Sequence, residues 1–232
     1  GVMLYNNYAD QRVTGAVGIF RGADDSYGNY KGDGYAATAR VTGLPYKNDD
    51  GSQLLHLGVG YSHRDDDTAS YKFSSDHAMA PSTKYKISDV DDTSLLGLEA
   101  ALKLNSFSLQ SEWIEADVDA ATGGDLDGYY VQASYVLTGE SRSYDTASGV
   151  FKGVSPGTKF LDNGGLGAWE ATLRWSNLDY TDLNGGDEAE SWTVGLNWYL
   201  NKNVRALFNY TDVDLDSGED GSVFGTRFQI AF

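Results

Sequence analysis

A two-residue alternation runs through most of this chain, and it constrains the fold more than any other feature. In the closing stretch FGTRFQIAF, Phe224, Thr226, Phe228, Ile230 and Phe232 share one face of an extended strand. Gly225, Arg227, Gln229 and Ala231 share the other. The same period recurs upstream at Val13, Gly15, Val17, Ile19; at Tyr35, Ala37, Ala39, Val41; and at Leu55, Leu57, Val59, Tyr61. It continues through Leu96, Leu98, Ala100, Leu102, Leu104, then Phe107, Leu109, Ser111, Trp113, then Tyr129, Val131, Ala133, Tyr135, Leu137. The last third is the most regular: Trp169, Ala171, Leu173, Trp175; Trp192, Val194, Leu196, Trp198, Leu200; Val204, Ala206, Phe208, Tyr210. With the opening run VMLYNNY these segments make roughly eleven strands, and no helical period competes with them.

An apolar row of this kind packs against a core or faces lipid, and composition helps to decide. The 232 residues carry a net charge of −17, 16 tyrosines and five tryptophans, but only three prolines and no cysteine. A single all-β barrel domain accommodates that length. No stretch approaches the ~18 apolar residues of a membrane helix. Acidity of this degree argues against nucleic acid as a partner, because phosphate contacts need clustered Lys and Arg.

The connections alternate in length. NS (105–106) and NKN (201–203) are tight turns, whereas 23–32, 117–126, 181–189 and 216–221 are longer and acidic. Short turns at one end and long loops at the other describe an outer-membrane barrel. A strand of about 10 residues tilted near 45° rises about 24 Å, the height of the apolar band in such barrels. Tyr and Trp at strand ends suit an interfacial girdle. A soluble β-sandwich would alternate identically, but it would leave unexplained why Trp and Tyr dominate the apolar face and why no edge is blunted by proline. The expected fold is therefore an antiparallel transmembrane β-barrel, with outer-membrane lipid and lipopolysaccharide around it. The strand ending at Phe232 resembles the C-terminal signal read by the outer-membrane assembly machinery.

Sorting charges by face locates the candidate chemistry. Opposite the apolar rows stand Arg12, Arg40, Arg64, Lys103, Arg174, Arg205 and Arg227, against only Glu99, Glu112 and Glu170. Rings of Arg and Lys select anions. A two-residue turn at 105–106 sets Glu99 opposite Glu112, and like charges so placed call for a cation between them. An inward loop is expected to supply it. His56, His63 and His77 lack metal-ligand spacing, and Asp212, Asp214 and Asp216 lack the glycine and terminal glutamate of a calcium loop. His56 reads as a wall residue. No catalytic constellation, metal site or cofactor motif stands out. Two segments break the striping: 65–91, carrying Lys72, Lys84 and Lys86, and 140–166, carrying Arg142, Lys152 and Lys159.

The stretches YVLTGESRSYDTASGVFKGVSPGTKF (135–160), GAWEATLRWSNLDYTD (167–182) and TVGLNWYLNKNVRALFNYT (193–211) resemble the phosphate-selective porin O and P family. The resemblance covers 126–232 in sequence and 1–125 in strand pattern alone. It implies a barrel of 16 strands, usually trimeric, in the outer membrane of a Gram-negative bacterium. It also implies that both interrupting segments fold into the lumen, where their basic residues narrow the pore. About eleven strands is an odd number, whereas bacterial single-chain barrels are even. The expectation is one barrel domain over 1–232 lacking its N-terminal strands, with residues 1–8 pairing outside this sequence. The function expected is a diffusion channel for small anions such as phosphate. A general or cation-preferring porin, or a non-conducting barrel acting as adhesin or scaffold, are the alternatives.

Overall fold

β-branched and aromatic side chains repeating every second residue favour extended backbone, and extended backbone satisfies its amides only across a ladder. The computed structural model of this chain describes residues 1–21, 34–65, 68–72, 84–183, 186–218 and 220–231. Its first strands are β1 (Val2–Tyr8), β2 (Val13–Arg21), β3 (Tyr35–Lys47) and β4 (Gln53–Arg64), followed by the short β5 (Thr68–Lys72) and β6 (Lys84–Ser88). Then come β7 (Val90–Leu104), β8 (Phe107–Ala120) and β9 (Gly124–Val136), with short β10 (Arg142–Asp145) and β11 (Val150–Val154). Four strands complete the chain: β12 (Ala168–Asp179), β13 (Glu188–Tyr199), β14 (Val204–Leu215) and β15 (Asp220–Ile230). Eleven of these pair in sequence order into one antiparallel sheet, while β5–β6 and β10–β11 are separate hairpins. Among the described residues β1 and β15 are the sheet's edges and do not pair with each other.

Registers follow from the turns. Leu104 opposes Phe107 across the 105–106 turn, where Asn105 takes a positive φ of 55°, and counting back sets Glu99 opposite Glu112. In β3 the register shifts between Gly43 and Tyr46. Pro45, which lacks an N–H for the ladder, sits in that bulge, and the shift moves Lys47 onto the polar face beside Leu54.

The two faces are inverted relative to a soluble sheet. On the striped face large apolar residues stand open: Val194 is 58% exposed and Phe228 74%, and Val17, Val41, Leu57, Leu98, Leu173 and Phe224 share that state. On the opposite face buried hydroxyls bridge neighbouring strands: Thr14 to Thr42 at 2.6 Å, Ser108 to Ser134 at 2.7 Å, and Thr193 to Thr211 at 2.9 Å. Each hydroxyl is donor or acceptor to the next, so these buried hydroxyls are met within the wall. An exposed apolar surface spanning eleven strands far exceeds the patches that monomeric soluble proteins tolerate.

Small apolar clusters close the ends of the polar face. Ile87 and Val90 bury against Ala116, Val118, Leu126, Tyr180 and Leu183 at one end, and Val136, Val154, Ala168 and Tyr199 pack together at the other. The first cluster corrects the expected long loop at 117–126. There β8 continues to Ala120 and β9 begins at Gly124, so residues 121–123 form a tight turn. Ala116, Val118 and Leu126 point inward to the cluster, while Glu115, Asp117 and Asp119 take the other side of the ladder. The acidity that suggests a loop belongs to strand ends projecting past the apolar band. Residues 23–32, His77 and Phe232 lie outside the described residues.

Placing an arginine on the apolar face should therefore be costly in a bilayer. Val194→Arg is expected to lower folding stability in phospholipid vesicles by about 2–4 kcal/mol, the range for a charge at mid-bilayer depth. Asn209→Arg, on the polar face, should cost much less; denaturant titration in vesicles measures both.

Candidate functional site

Among the turns at the short end, the connection from β9 to β12 is the long one, and it crosses the polar face as a strap. Within it β10 and β11 pair, with Tyr144 opposite Phe151 and Asp145 opposite Val150. Asp145 organises the tip: its carboxylate accepts from the Ala147 and Ser148 amides at 3.0 and 3.3 Å and from the Ser148 hydroxyl at 3.0 Å. Lys152 lies 3.3 Å from the same group. The Ser148 hydroxyl first, then Lys152 and the two amides, outweigh desolvation and hold the Asp145 carboxyl below the usual aspartate range.

The strap is fixed at both ends. At its base Val154 joins the Val136, Ala168 and Tyr199 cluster. Arg142 Nε stands 3.4 Å from Glu170 Oε1, close enough for attraction though not aligned as a hydrogen bond. Glu170 is 1% exposed, and its other oxygen accepts from Tyr199 Oη at 2.8 Å and Asn197 Nδ2 at 2.9 Å. At its tip Thr146 donates to Gln11 at 2.6 Å, in the β1–β2 turn. Gly149 lies on the Thr14–Thr42 hydroxyl pair with φ +65°, and a Cβ there would come 2.7 Å from Thr42 Oγ1. Both the left-handed backbone and the space require glycine. The strap thus runs from β12 and β13 to β2 and β3.

Beneath it sits a four-residue polar cluster. Arg40 on β3 binds Glu99 through Nε at 2.7 Å and Nη2 at 2.9 Å, a two-pronged pairing. The same guanidinium donates to the strap's Ser148 and Gly149 carbonyls at 3.4 and 3.2 Å. His56 on β4 places Nε2 3.5 Å from Glu99 Oε2, and its Nδ1 is 2.6 Å from Tyr144 Oη on the strap. Glu99 reaches Arg40 by crossing β4 at Gly58, where any Cβ would overlap its carboxylate. Arg40, His56, Glu99, Glu112, Arg142 and Tyr144 are among the residues lining a cavity of about 430 Å³ between strap and wall.

Glu99 does face Glu112, but the expected cation comes from elsewhere. Arg40 supplies it from the wall, two strands away, and no inward loop side chain does so among the described residues. Glu112 is served by the Tyr130 hydroxyl at 2.9 Å. The remaining basic residues divide. Lys103 is buried and donates to the Gly51 carbonyl at 3.1 Å, bracing the β3–β4 turn. Arg12 donates to the Lys47 carbonyl at 3.4 Å. Arg174 stacks 3.8 Å over the Tyr130 ring with Nη1 3.5 Å from Gln132 Oε1, and Arg205 forks onto Gln229 Oε1 at 3.0 and 2.8 Å. Arg64 and Arg227 are exposed. The inward course expected for all of 140–166 holds only for the hairpin. Lys159 is exposed in a following turn that lies against the Trp198 side of the sheet. The side chains of Lys72, Lys84 and Lys86 lie outside the described residues.

Tyr144, Gly149 and Gly58 carry no local sequence pattern that marks their role. The available signal was weak: the alternation of Arg142, Tyr144 and then Phe151 on a turn-rich stretch marks a short hairpin, but not its docking.

Comparison with known proteins bears on the family of the chain. The family model for phosphate-selective porin O and P matches residues 1–232, the first half included. Porin O of Pseudomonas aeruginosa is 28% identical over 279 aligned residues, covering 100% of this chain and 60% of the relative. An uncharacterized protein of Caulobacter vibrioides is 32% identical over 124 residues, covering 51% of this chain and 24% of its own length. The chain therefore spans less than two thirds of either curated relative.

Breaking the Arg40–Glu99 pair one-sidedly should cost more than removing it. Arg40→Leu is expected to destabilise by about 2 kcal/mol, because it strands a partly buried carboxylate and releases two strap carbonyls. Adding Glu99→Leu should restore most of that loss, as read from unfolding midpoints of the single and double variants.

Proposed function

Because the chain belongs to the phosphate-selective porin O and P family, a family of the Gram-negative outer membrane, we propose that it forms part of the wall of a diffusion channel for small anions. In this reading the apolar face meets lipid and lipopolysaccharide, and the hydroxyl-lined face meets water. Further strands pair with β1 and β15 to close a barrel of 16, since hydrocarbon leaves no open sheet edge solvated. The barrels assemble as trimers, delivered by the outer-membrane assembly machinery. The strap narrows the lumen, and its aromatic and polar contacts with the wall keep it from swinging clear.

The pairing of charges is the observation that carries anion preference. Two of the three wall acids are matched, Glu99 by Arg40 and Glu170 by the strap's Arg142. Arg174, Arg205 and Arg227 have no carboxylate within ion-pair distance among the described residues, so the wall keeps net positive charge. Screening limits exposed charges to about 8 Å in physiological salt, and a permeating ion therefore responds to the wall more than to the acidic strand ends. Arg174 is the best placed of the three. Its stack on Tyr130 fixes the guanidinium plane and leaves forked donors for a phosphate or carboxylate oxygen. Phosphate is the ligand this chemistry suits; carboxylates share it.

Reversal potentials of single channels in a salt gradient test the reading. Arg174→Gln with Arg227→Gln should lower the anion-to-cation permeability ratio at least several-fold: a unit positive charge ~7 Å away favours an anion by roughly 0.6 kcal/mol and disfavours a cation by as much in water, about eightfold in the ratio per charge before screening. Neutralising Asp117 and Asp119 should change it less. A larger shift from the aspartate pair would mean that the acidic end governs and the pore prefers cations; absence of conductance would favour a scaffold or adhesin.

A further inference from the structure

Beyond the strap the chain does something the pore reading does not use. After Val154 it rounds the end of β12 and β13, and residues 159–166 fold onto the opposite, apolar face. Glu170 faces the strap, so its neighbour Trp169 and Trp169's ladder partner Trp198 face the other way. These two indoles stack at 5.1 Å and 12°. Phe160 meets Trp198 edge-on at 4.8 Å, its amide donates to the Leu200 carbonyl at 2.8 Å, and Trp198 Nε1 donates to the Leu166 carbonyl at 2.8 Å.

The turn itself is tightly bonded. Leu161 N donates to Gly165 O at 2.9 Å, Gly165 N to Asp162 O at 2.8 Å, and Asp162 N to Lys159 O at 3.2 Å. Leu161 adopts a φ of +65°, which a branched residue rarely takes, so its side chain is held outward by the turn. Leu161 is 77% exposed and Leu166 69%. Two leucines projected from a hydrogen-bonded turn beside a tryptophan pair make a built apolar outcrop.

We propose that residues 159–166 form a membrane anchor, seated at the boundary between lipid headgroups and acyl chains at the short-turn end of the sheet. This rests on the outer-membrane reading above. The occupant is lipid because the apolar ladder pairs Leu173–Val194, Ala171–Leu196 and Trp169–Trp198 lead up to the outcrop, and the exposed Asp162 and Asn163 between its two leucines suit the headgroup level rather than the acyl core. The tryptophans suit that boundary: their rings face the apolar side while the turn satisfies the Trp198 N–H, as amphipathic aromatics do at such interfaces. Lys159, exposed at the turn's start, has a stem long enough to lie along apolar surface with its ammonium among lipid phosphates. The same loop would then be held from both sides, its hairpin by the polar wall and its return by lipid.

The chain has no cysteine, so single substitutions take one label each. Leu161→Cys and Leu166→Cys carry an environment-sensitive nitrobenzoxadiazole in protein folded into phosphatidylcholine vesicles. Val194→Cys serves as the lipid-facing reference and Asp49→Cys, exposed in the β3–β4 turn, as the water-facing one. Labels at 161 and 166 should be quenched by shallow doxyl-labelled lipid at least about twofold more than the label at 49, and protected from aqueous iodide, as a shallow interfacial position requires. If they behave like the label at 49, the anchor is wrong. If they are shielded from both quenchers while 194 meets lipid, the outcrop contacts protein, such as a second copy of the chain, and the lipid assignment fails alone. If 194 is also unquenched by lipid, the membrane placement falls, and the anchor falls with it.

Discussion

Everything in this structure depends on how backbone amides are satisfied where water cannot reach them. A sheet in a membrane must meet its N–H and C=O groups within its own ladder, and unbroken antiparallel pairing of long strands does so. That requirement fixes the rest. Side chains alternate, so one face must be acceptable to lipid while the other is free to be polar. The polar face here is occupied by hydroxyls that bridge strand to strand and by charges that find partners nearby. The apolar face stays exposed across most of the sheet.

The polar face carries a strap, and the strap's docking is ionic and aromatic at once. Arg40 is central because it performs two tasks: it neutralises Glu99 and it donates to the strap tip. Two features make the geometry possible, Gly58 leaving room for Glu99 to cross and Gly149 allowing the hairpin to lie flat on Thr14 and Thr42. Such a cluster gains much of its strength from poor solvation beneath the strap, where hydrogen bonds to charged groups are stronger than at an open surface. It also removes Arg40 from the set of freely available wall cations. The wall arginines without a carboxylate partner among the described residues thus sit farther along the sheet, on β12, β14 and β15. The net charge of −17 says little about this, because most carboxylates sit at strand ends and turns rather than on the wall.

Much of the fold was legible in the sequence, and for a local reason. Strand period, face assignment and the register across a two-residue turn depend only on residues a few positions apart, so Glu99 opposite Glu112 is predictable from counting. The strand extension through Asp117 and Asp119 was not, because acidic residues resemble loop composition until the inward partners Ala116, Val118 and Leu126 are seen to share a cluster. Membership of Arg174 and Arg227 in the polar face was readable. That Arg174 lies on Tyr130 was not.

The sequence by itself determined a sheet with one apolar face, its strand order and the sign of the charges on its polar wall. Only the tertiary structure decided which charges neutralise one another, that the segment between β9 and β12 divides into an inward hairpin and an outward turn, and that Tyr144 meets His56 88 residues away. The physical reason is separation: alternation is written in neighbouring residues, whereas the contacts of a strap are set by the shape of a sheet that exists only once its strands have paired.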